Sequence, residues 1–366
     1  APGEYVENIN FNGRNISVIG NPDNPGDVVI DGGGNGSVVS FTSEEPRSVL
    51  LSGFTLRNGT GTDYENGNLY GGGIYIVRSS PTIQDCIIED NQANVGGGGF
   101  YIHLTPANPI FERCIIRNNS SDGHGGGARL GHQAFAVLDY CEFSSNISAT
   151  GGALHSYSSG TQLTISNCTF TGNSSDSQGV ISLGGNDKQV MIENSIIWNN
   201  DPSFVYYIGG ANSVISVDYS NIESIVDWQL RNFVDGWGFQ EMALERGEGY
   251  IDEEPRFADP DNGDFHLTAN SPCIDAGDPE SEPDQDGTRA DMGAYYFEQI
   301  EDEIDNYAVS FDGESGYGFI PQNDAFGFGD GDWTIETTFK IPFENIPDGS
   351  SSILFMRYGM GDGTLG

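Results

Sequence analysis

The chain has 366 residues, 54 of them acidic against 14 Lys and Arg, for a formal net charge of −40. That balance excludes nucleic acid as a partner, because phosphate contacts need clustered Lys and Arg, and it disfavours an anionic bilayer. The 52 glycines follow no Gly-X-Y period, which excludes collagen, and no apolar run reaches the roughly 18 residues of a transmembrane helix. Ile, Val, Phe and Tyr recur at regular spacing, so the charge does not signal disorder. Only two lysines occur, Lys188 and Lys340. Scarce Lys and abundant Asp suit solubility through hydrated carboxylates in a salty or Ca²⁺-rich medium, with a plain acidic surface as the equal alternative.

The start, Ala1-Pro2-Gly3-Glu4-Tyr5, carries no signal peptide. Both this end and Gly366 are read as cut limits. Residues 1–70 read as irregular opening coils with a loop at Gly59–Gly67. From residue 71 to about 222 the chain repeats. A Gly-rich tripeptide with an apolar follower occurs at Gly71-Gly72-Gly73-Ile74, Gly97-Gly98-Gly99-Phe100, Gly125-Gly126-Gly127-Ala128 and Gly151-Gly152-Ala153-Leu154. A degenerate copy follows at Gln178-Gly179-Val180-Ile181, and the successive offsets are 26, 28, 26 and 27 residues. In step with it run Cys86, Cys114, Cys141 and Cys168, with Ser195 in the fifth place, and then Asn91, Asn119, Asn146, Asn173 and Asn200.

Between these markers apolar and polar residues alternate in short runs separated by Gly, Asn and Ser, which means strands and turns. Ile83, Phe111, Leu138, Ile165 and Ile192 form one apolar column, and Ile88, Ile116, Phe143, Phe170 and Ile197 another. Two or three short strands closing every 27 or so residues make a parallel β-helix, an all-β solenoid whose equivalent residues stack at about 4.8 Å. The Asn column is then structural: Asn tolerates a left-handed turn, and stacked amides bond one another from coil to coil. The four Cys are read as buried, stacked and reduced core thiols in preference to disulfides, and a Cys-based metal site is disfavoured. Tyr75, Tyr101, Arg129, His155 and Ser182 alternate outward, and on a flat face such aromatics and cations suit sugar rings or a partner protein. Ordinary ladder packing of exposed side chains is the plainer reading.

Beyond a looser coil at Tyr206–Asn221, Trp228–Gly249 breaks the period and reads as a short helix or an excursion over the solenoid end. Arg256–Tyr295 reads as a closing segment. Within it Asp284, Asp286 and Asp291 form one candidate calcium loop and Asp259, Asp261 and Asp264 a second, with solvated acidic turns as the equal alternative. An acidic linker covers 301–306. Tyr307–Gly366 holds two runs, Tyr307-Ala308-Val309-Ser310-Phe311 and Trp333-Thr334-Ile335-Glu336-Thr337, that look like the start of a LamG, concanavalin-A-like jelly roll. It offers too few strands to close such a domain, so its Trp333, Phe339 and Phe355 need either further chain or a neighbouring subunit adding strands head to tail.

The GGA-plus-aliphatic motif at Gly151–Leu154, with F-x-x-N from Phe143 to Asn146 and from Phe170 to Asn173, resembles the repeats of polymorphic outer-membrane adhesins. More broadly, residues 1–300 are similar to right-handed parallel β-helix repeat proteins of bacterial surfaces. Pro2–Ile9 resembles their first-coil signature, and Ser271–Gly277 with Asp291–Tyr295 their closing segment. The resemblance implies a right-handed β-helix, a secreted or cell-surface location, and an adhesive or structural role, and the chain is read as non-enzymatic. Expected partners are extracellular carbohydrate, other surface proteins, or further copies in a filament. The alternative is a β-helix polysaccharide lyase or glycoside hydrolase. Gly123-His124-Gly125 matches a short polygalacturonase motif, but no Asp-Asp pair accompanies it, and His124 is read as a turn residue.

Overall fold

A computed structural model describes residues 1–299, except 157, 204, 210–212, 224–228, 235–237 and 242–244. The linker at 301–306 and the LamG-like segment lie outside the described residues. Alternating apolar positions of successive coils pair in parallel register, producing a right-handed solenoid of about 8 turns. Three long sheets line it. The first runs from Gly3–Val6 through Ile87–Glu89, Ile115–Arg117, Glu142–Ser144 and Thr169–Thr171 to Asn221–Ile222. The second includes Ile74–Val77, Phe100–His103, Ala128–Leu130, Leu154–Ser156 and Ile181–Gly185. The third includes Thr82–Gln84, Ile110–Glu112, Phe135–Asp139, Gln162–Ser166 and Gln189–Glu193. Ile83, Phe111, Leu138, Ile165 and Ile192 stand in one fully buried row, and Ile88, Ile116, Phe143, Phe170 and Ile197 in a second. Phe143 and Phe170 stack with centroids 4.7 Å apart. Each such side chain stabilises the core by roughly 1.5–3 kcal/mol on transfer from water.

Polar corners join the sheets. From the third sheet to the first the chain turns through one left-handed residue, namely Asp85, Arg113, Tyr140, Asn167 or Asn194. Cys86, Cys114, Cys141, Cys168 or Ser195 follows it. These four Cys and Cys273 are free and buried. The Cys168 Sγ lies 3.1 Å from the Ser166 carbonyl to which it donates, and the Cys168 N–H donates to Ser195 Oγ at 3.1 Å.

At the next corner the left-handed residue is the one before each ladder Asn: Asp90, Asn118, Ser145, Gly172 and Asn199. The ladder Asn residues themselves are not left-handed, which corrects the expectation that the turn conformation selects them. Their role lies in the side chain. Each Nδ2 donates to the next Asn Oδ1, at 3.1, 3.1, 2.9 and 2.9 Å from Asn91 to Asn200. The same Oδ1 atoms also accept the preceding Asn backbone N–H at 3.0–3.1 Å.

Four further strands follow that corner: Gln92–Ala93, Ser120–His124, Ile147–Thr150 and Ser174–Ser177 form a fourth parallel sheet. The chain then doubles back sharply into the second sheet. At Gly97 φ is +70°, and a Cβ there would lie 2.3 Å from the Phe100 carbonyl oxygen. The predicted loop at Gly59–Gly67 contains part of an antiparallel hairpin, Thr62–Glu65 with Asn68–Tyr70. The segment read as a helix or excursion is also an antiparallel hairpin, Gln229–Val234 with Gly238–Glu241, and it continues the second sheet.

The closing segment lies along the outer face of the first sheet. Leu267, Cys273 and Met292 pack on Ile196. Gly293 N donates to the Asn194 carbonyl (2.8 Å), and Ala294 N donates to Thr169 Oγ1 (3.0 Å). No helix among the described residues is long and apolar enough to cross a membrane.

Candidate functional site

The outward column of the second sheet stands in register as Tyr75, Tyr101, Arg129, His155 and Ser182. It is not an open face. Tyr75, Tyr101, His155 and Ser182 are buried and Arg129 is half-buried. The fourth sheet and the Thr62–Tyr70 hairpin fold over them. His124 stacks on His155 with centroids 4.4 Å apart, and Tyr70 stacks on Tyr101 at 4.7 Å. Burial raises the Tyr75 hydroxyl pKa to about 12 and pushes that of His155 well down. A flat binding strip at these residues is therefore excluded. Alternation predicts which way they point, but the covering strands are mostly Ser-rich and read as turns.

The two acidic loops do not converge on a cation either. Asp291 accepts backbone N–H groups from Asp275 and Phe297, both at 2.7 Å. Asp286 accepts from Thr288 N at 3.0 Å and Gln299 N at 2.8 Å. Asp284 Oδ2 accepts from Asp291 N at 2.8 Å. Asp259 accepts from Asn262 Nδ2 at 2.7 Å, Asp264 pairs with His266 Nδ1 at 2.7 Å, and Asp261 is exposed. Among the described residues no group of three or more His, Cys, Asp or Glu is placed to hold a metal ion. These carboxylates tie turns together, so the donor set does not fit calcium.

The structure instead builds a cleft of about 390 Å³ where the closing segment crosses the corner between the third and first sheets. One wall is Arg113 and Tyr140, successive left-handed corner residues whose side chains point away from the core. The other wall comes from His266, Glu282, Asp284, Tyr295 and Tyr296. A buried lock holds that wall in place: the Tyr295 hydroxyl donates to Glu142 Oε2 at 2.6 Å, while Ser144 Oγ bonds Glu142 Oε1 at 2.5 Å. Burial pushes the Glu142 carboxyl above its usual range, against the pull of those two hydroxyls. His266 stacks on the Tyr295 ring at 4.4 Å.

The polar groups of the cleft are largely matched. Arg113 is clamped by Asp85 at 2.7 Å and by Glu112. Burial, together with the nearby Asp291, Asp286 and Asp275, raises Asp284 to about 6. Glu282 and Asp284 stand two residues apart on one loop. Glycoside hydrolysis instead places carboxylates on either side of the scissile bond, roughly 5–9.5 Å apart. The cleft thus offers aromatic surface and a proton donor on one side only. Sequence reasoning missed it, although two signals were present. Tyr140 is an aromatic residue in a corner column of Asp85, Arg113, Asn167 and Asn194, and Glu142 is a carboxylate in register with Ile115.

A family model described as a right handed beta helix region matches residues 8–218. No curated protein matches the chain, and no solved structure matches it.

Proposed function

The chain belongs to the right-handed β-helix family, and from that premise we propose that it is a non-enzymatic scaffold of the cell exterior, structural or adhesive, which holds a neutral saccharide in the closing cleft. The family includes both polysaccharide-degrading enzymes and surface proteins. One observation carries the choice between them: the cleft pairs three tyrosines and a histidine with polar groups already bonded to the protein. Aromatic faces and fixed polar edges suit a sugar ring. The charge left on the walls, Glu282 and Asp284, disfavours acidic sugars. The adhesive part of the reading also rests on the GGA and F-x-x-N likeness. Calorimetric titration with neutral oligosaccharides is the test. Binding should fall about tenfold in Tyr296→Ala and in Tyr140→Ala, a loss of about 1.4 kcal/mol each. Equal affinity in both variants removes the cleft from the proposal.

A hydrolase or lyase is the second reading, favoured by Asp284, whose pKa of about 6 leaves it a proton donor near neutrality. Release of reducing ends or unsaturated products by the purified chain, lost in Asp284→Asn, would establish it in place of the first.

A further inference from the structure

The closing segment carries a carboxyl at every second position of one run: Asp278, Glu280, Glu282, Asp284 and Asp286. The run lies against an acidic edge of the solenoid. Along the outer face of the third sheet Glu112, Asp139, Ser166, Glu193 and Asp218 stand in register, one per coil. No ion pair among the described residues joins 278–286 to those coils. Acid therefore meets acid, and hydrogen bonds hold the two together.

Asn194, the left-handed corner residue after Glu193, accepts the Asp278 N–H on its Oδ1 at 2.7 Å, and its Nδ2 donates to Ser281 Oγ at 3.1 Å. That seats Asp278 beside Glu193, and the two half-buried side-chain carboxyls are hydrogen-bonded to each other. Two carboxylates are acceptors only, so the bond exists only while one of them keeps a proton. Asp218 faces the pair from the next coil and Ser166 from the previous one, and the Glu280 N–H donates to Asp278 Oδ1 at 2.9 Å. At the rim, Arg289 lies over the Tyr219 ring at 5.7 Å, and its Nε donates to the Gly277 carbonyl at 2.7 Å. The Tyr219 hydroxyl donates to Glu248 at 3.1 Å. Burial, and after it Asp278 and Asp218, raises the Glu193 carboxyl above its usual range. The seated run thus binds a proton that the lifted run gives up. Seating is firm below the ordinary glutamate range and weakens as pH rises through the raised value.

We propose that the run from Asp278 to Asp286 is a pH-gated strap. In acid the carboxylic hydrogen of one partner bridges Glu193 and Asp278. Toward alkaline pH that proton passes to solvent, the two carboxylates repel, and the strap lifts from the Asn194 corner. The Tyr295–Glu142 lock and the bond from Gly293 N to the Asn194 carbonyl lie outside the run, so the release is local. Glu282 and Asp284 ride on the strap, so lifting opens one wall of the closing cleft, whatever that cleft binds.

Hydrogen exchange of the full chain, corrected for the intrinsic rate at each pH, tests this at the Asp278 and Ser281 amides. Protection there should fall severalfold from about pH 5 to about pH 7.5, with no fall at the Asn146 amide of the interior column. In Glu193→Gln a side-chain amide donates to the Asp278 carboxylate without titrating, and in Asp278→Asn the roles reverse. Both variants should therefore keep the acid level of protection at the higher pH. Parent-like protection at Asn146 shows that each variant has folded. A parent whose strap protection does not change with pH, or a parent-like fall in either variant, overturns the proposal.

Discussion

Lys188 occupies an inner corner where the preceding coils carry Ala107, Ala134 and Thr161, all buried. Its Nζ reaches Ser156 Oγ at 2.8 Å, and Ser156 is the polar member of an apolar row containing Leu183. Burial alone lowers its pKa to about 7. The sign follows from proton counting. Below about pH 7 both states are protonated and the folded state bears the full penalty of a buried charge. Between about 7 and 10.5 the unfolded chain binds the extra proton, so stability rises with pH, and above 10.5 the penalty is gone. At about 1.4 kcal/mol per unit, the penalty is of order 3–5 kcal/mol. Lys188→Met should therefore stabilise the chain by about 2–4 kcal/mol at pH 7 and flatten the rise toward pH 10. Urea unfolding at both pH values measures it, and an unchanged slope refutes it. The scarcity of Lys is visible in the sequence. That one of the two lysines is sealed inside is not, because a corner column of Ala, Ala and Thr is too weakly apolar to mark an interior.

At the scale of elements, single side chains of the Asn column bind several coils. Asn146 Nδ2 donates to the Ile116 carbonyl (2.7 Å) and to Asn173 Oδ1 (2.9 Å), while its Oδ1 accepts Asn119 N and Nδ2. Asn146→Ala orphans three of those groups in a dry interior, a cost of about 3–5 kcal/mol. Asn91→Ala, at the column's start, orphans two groups, Gly59 N and the Leu56 carbonyl, and should cost about two-thirds as much. Equal losses in denaturant unfolding would show that position along the column does not matter. This column is legible because a polar residue recurring once per coil at a fixed offset finds its partner in the equivalent residue of the next coil. The apolar rows are legible through the same fixed offset. The fourth sheet is not, since Ser120–His124 and Ser174–Ser177 carry none of the β-branched or aromatic bias that marks a strand.

Across the whole molecule, what the sequence hides is long-range. Tyr295 and Glu142, the pair that shapes the cleft, are 153 residues apart, and no local pattern joins them. Tyr295→Phe leaves a buried carboxyl short of one donor and should cost about 1–3 kcal/mol. It should also make Arg256–Tyr295 the first region cut in limited proteolysis, and cleavage elsewhere first argues against the lock. The solenoid's interior supplies a global readout. Burial pushes the Cys86, Cys114 and Cys141 thiols well above the ordinary cysteine pKa, so they stay unreactive while folded. Alkylation of these three should follow the unfolding transition as a group. Fast labelling of any one under native conditions would mean that its coil opens alone.

The amides from Asn91 to Asn173 all point the same way, each passing a hydrogen to the Asn of the later coil while its oxygen faces the earlier one. Turning any one of them would set hydrogen against hydrogen on one side and oxygen against oxygen on the other, and the backbone groups bonded to each amide hold the same sense. Their dipoles add along the axis as peptide dipoles do in a helix. A coil stacked at either end of the row therefore meets a surface with an electrical sense.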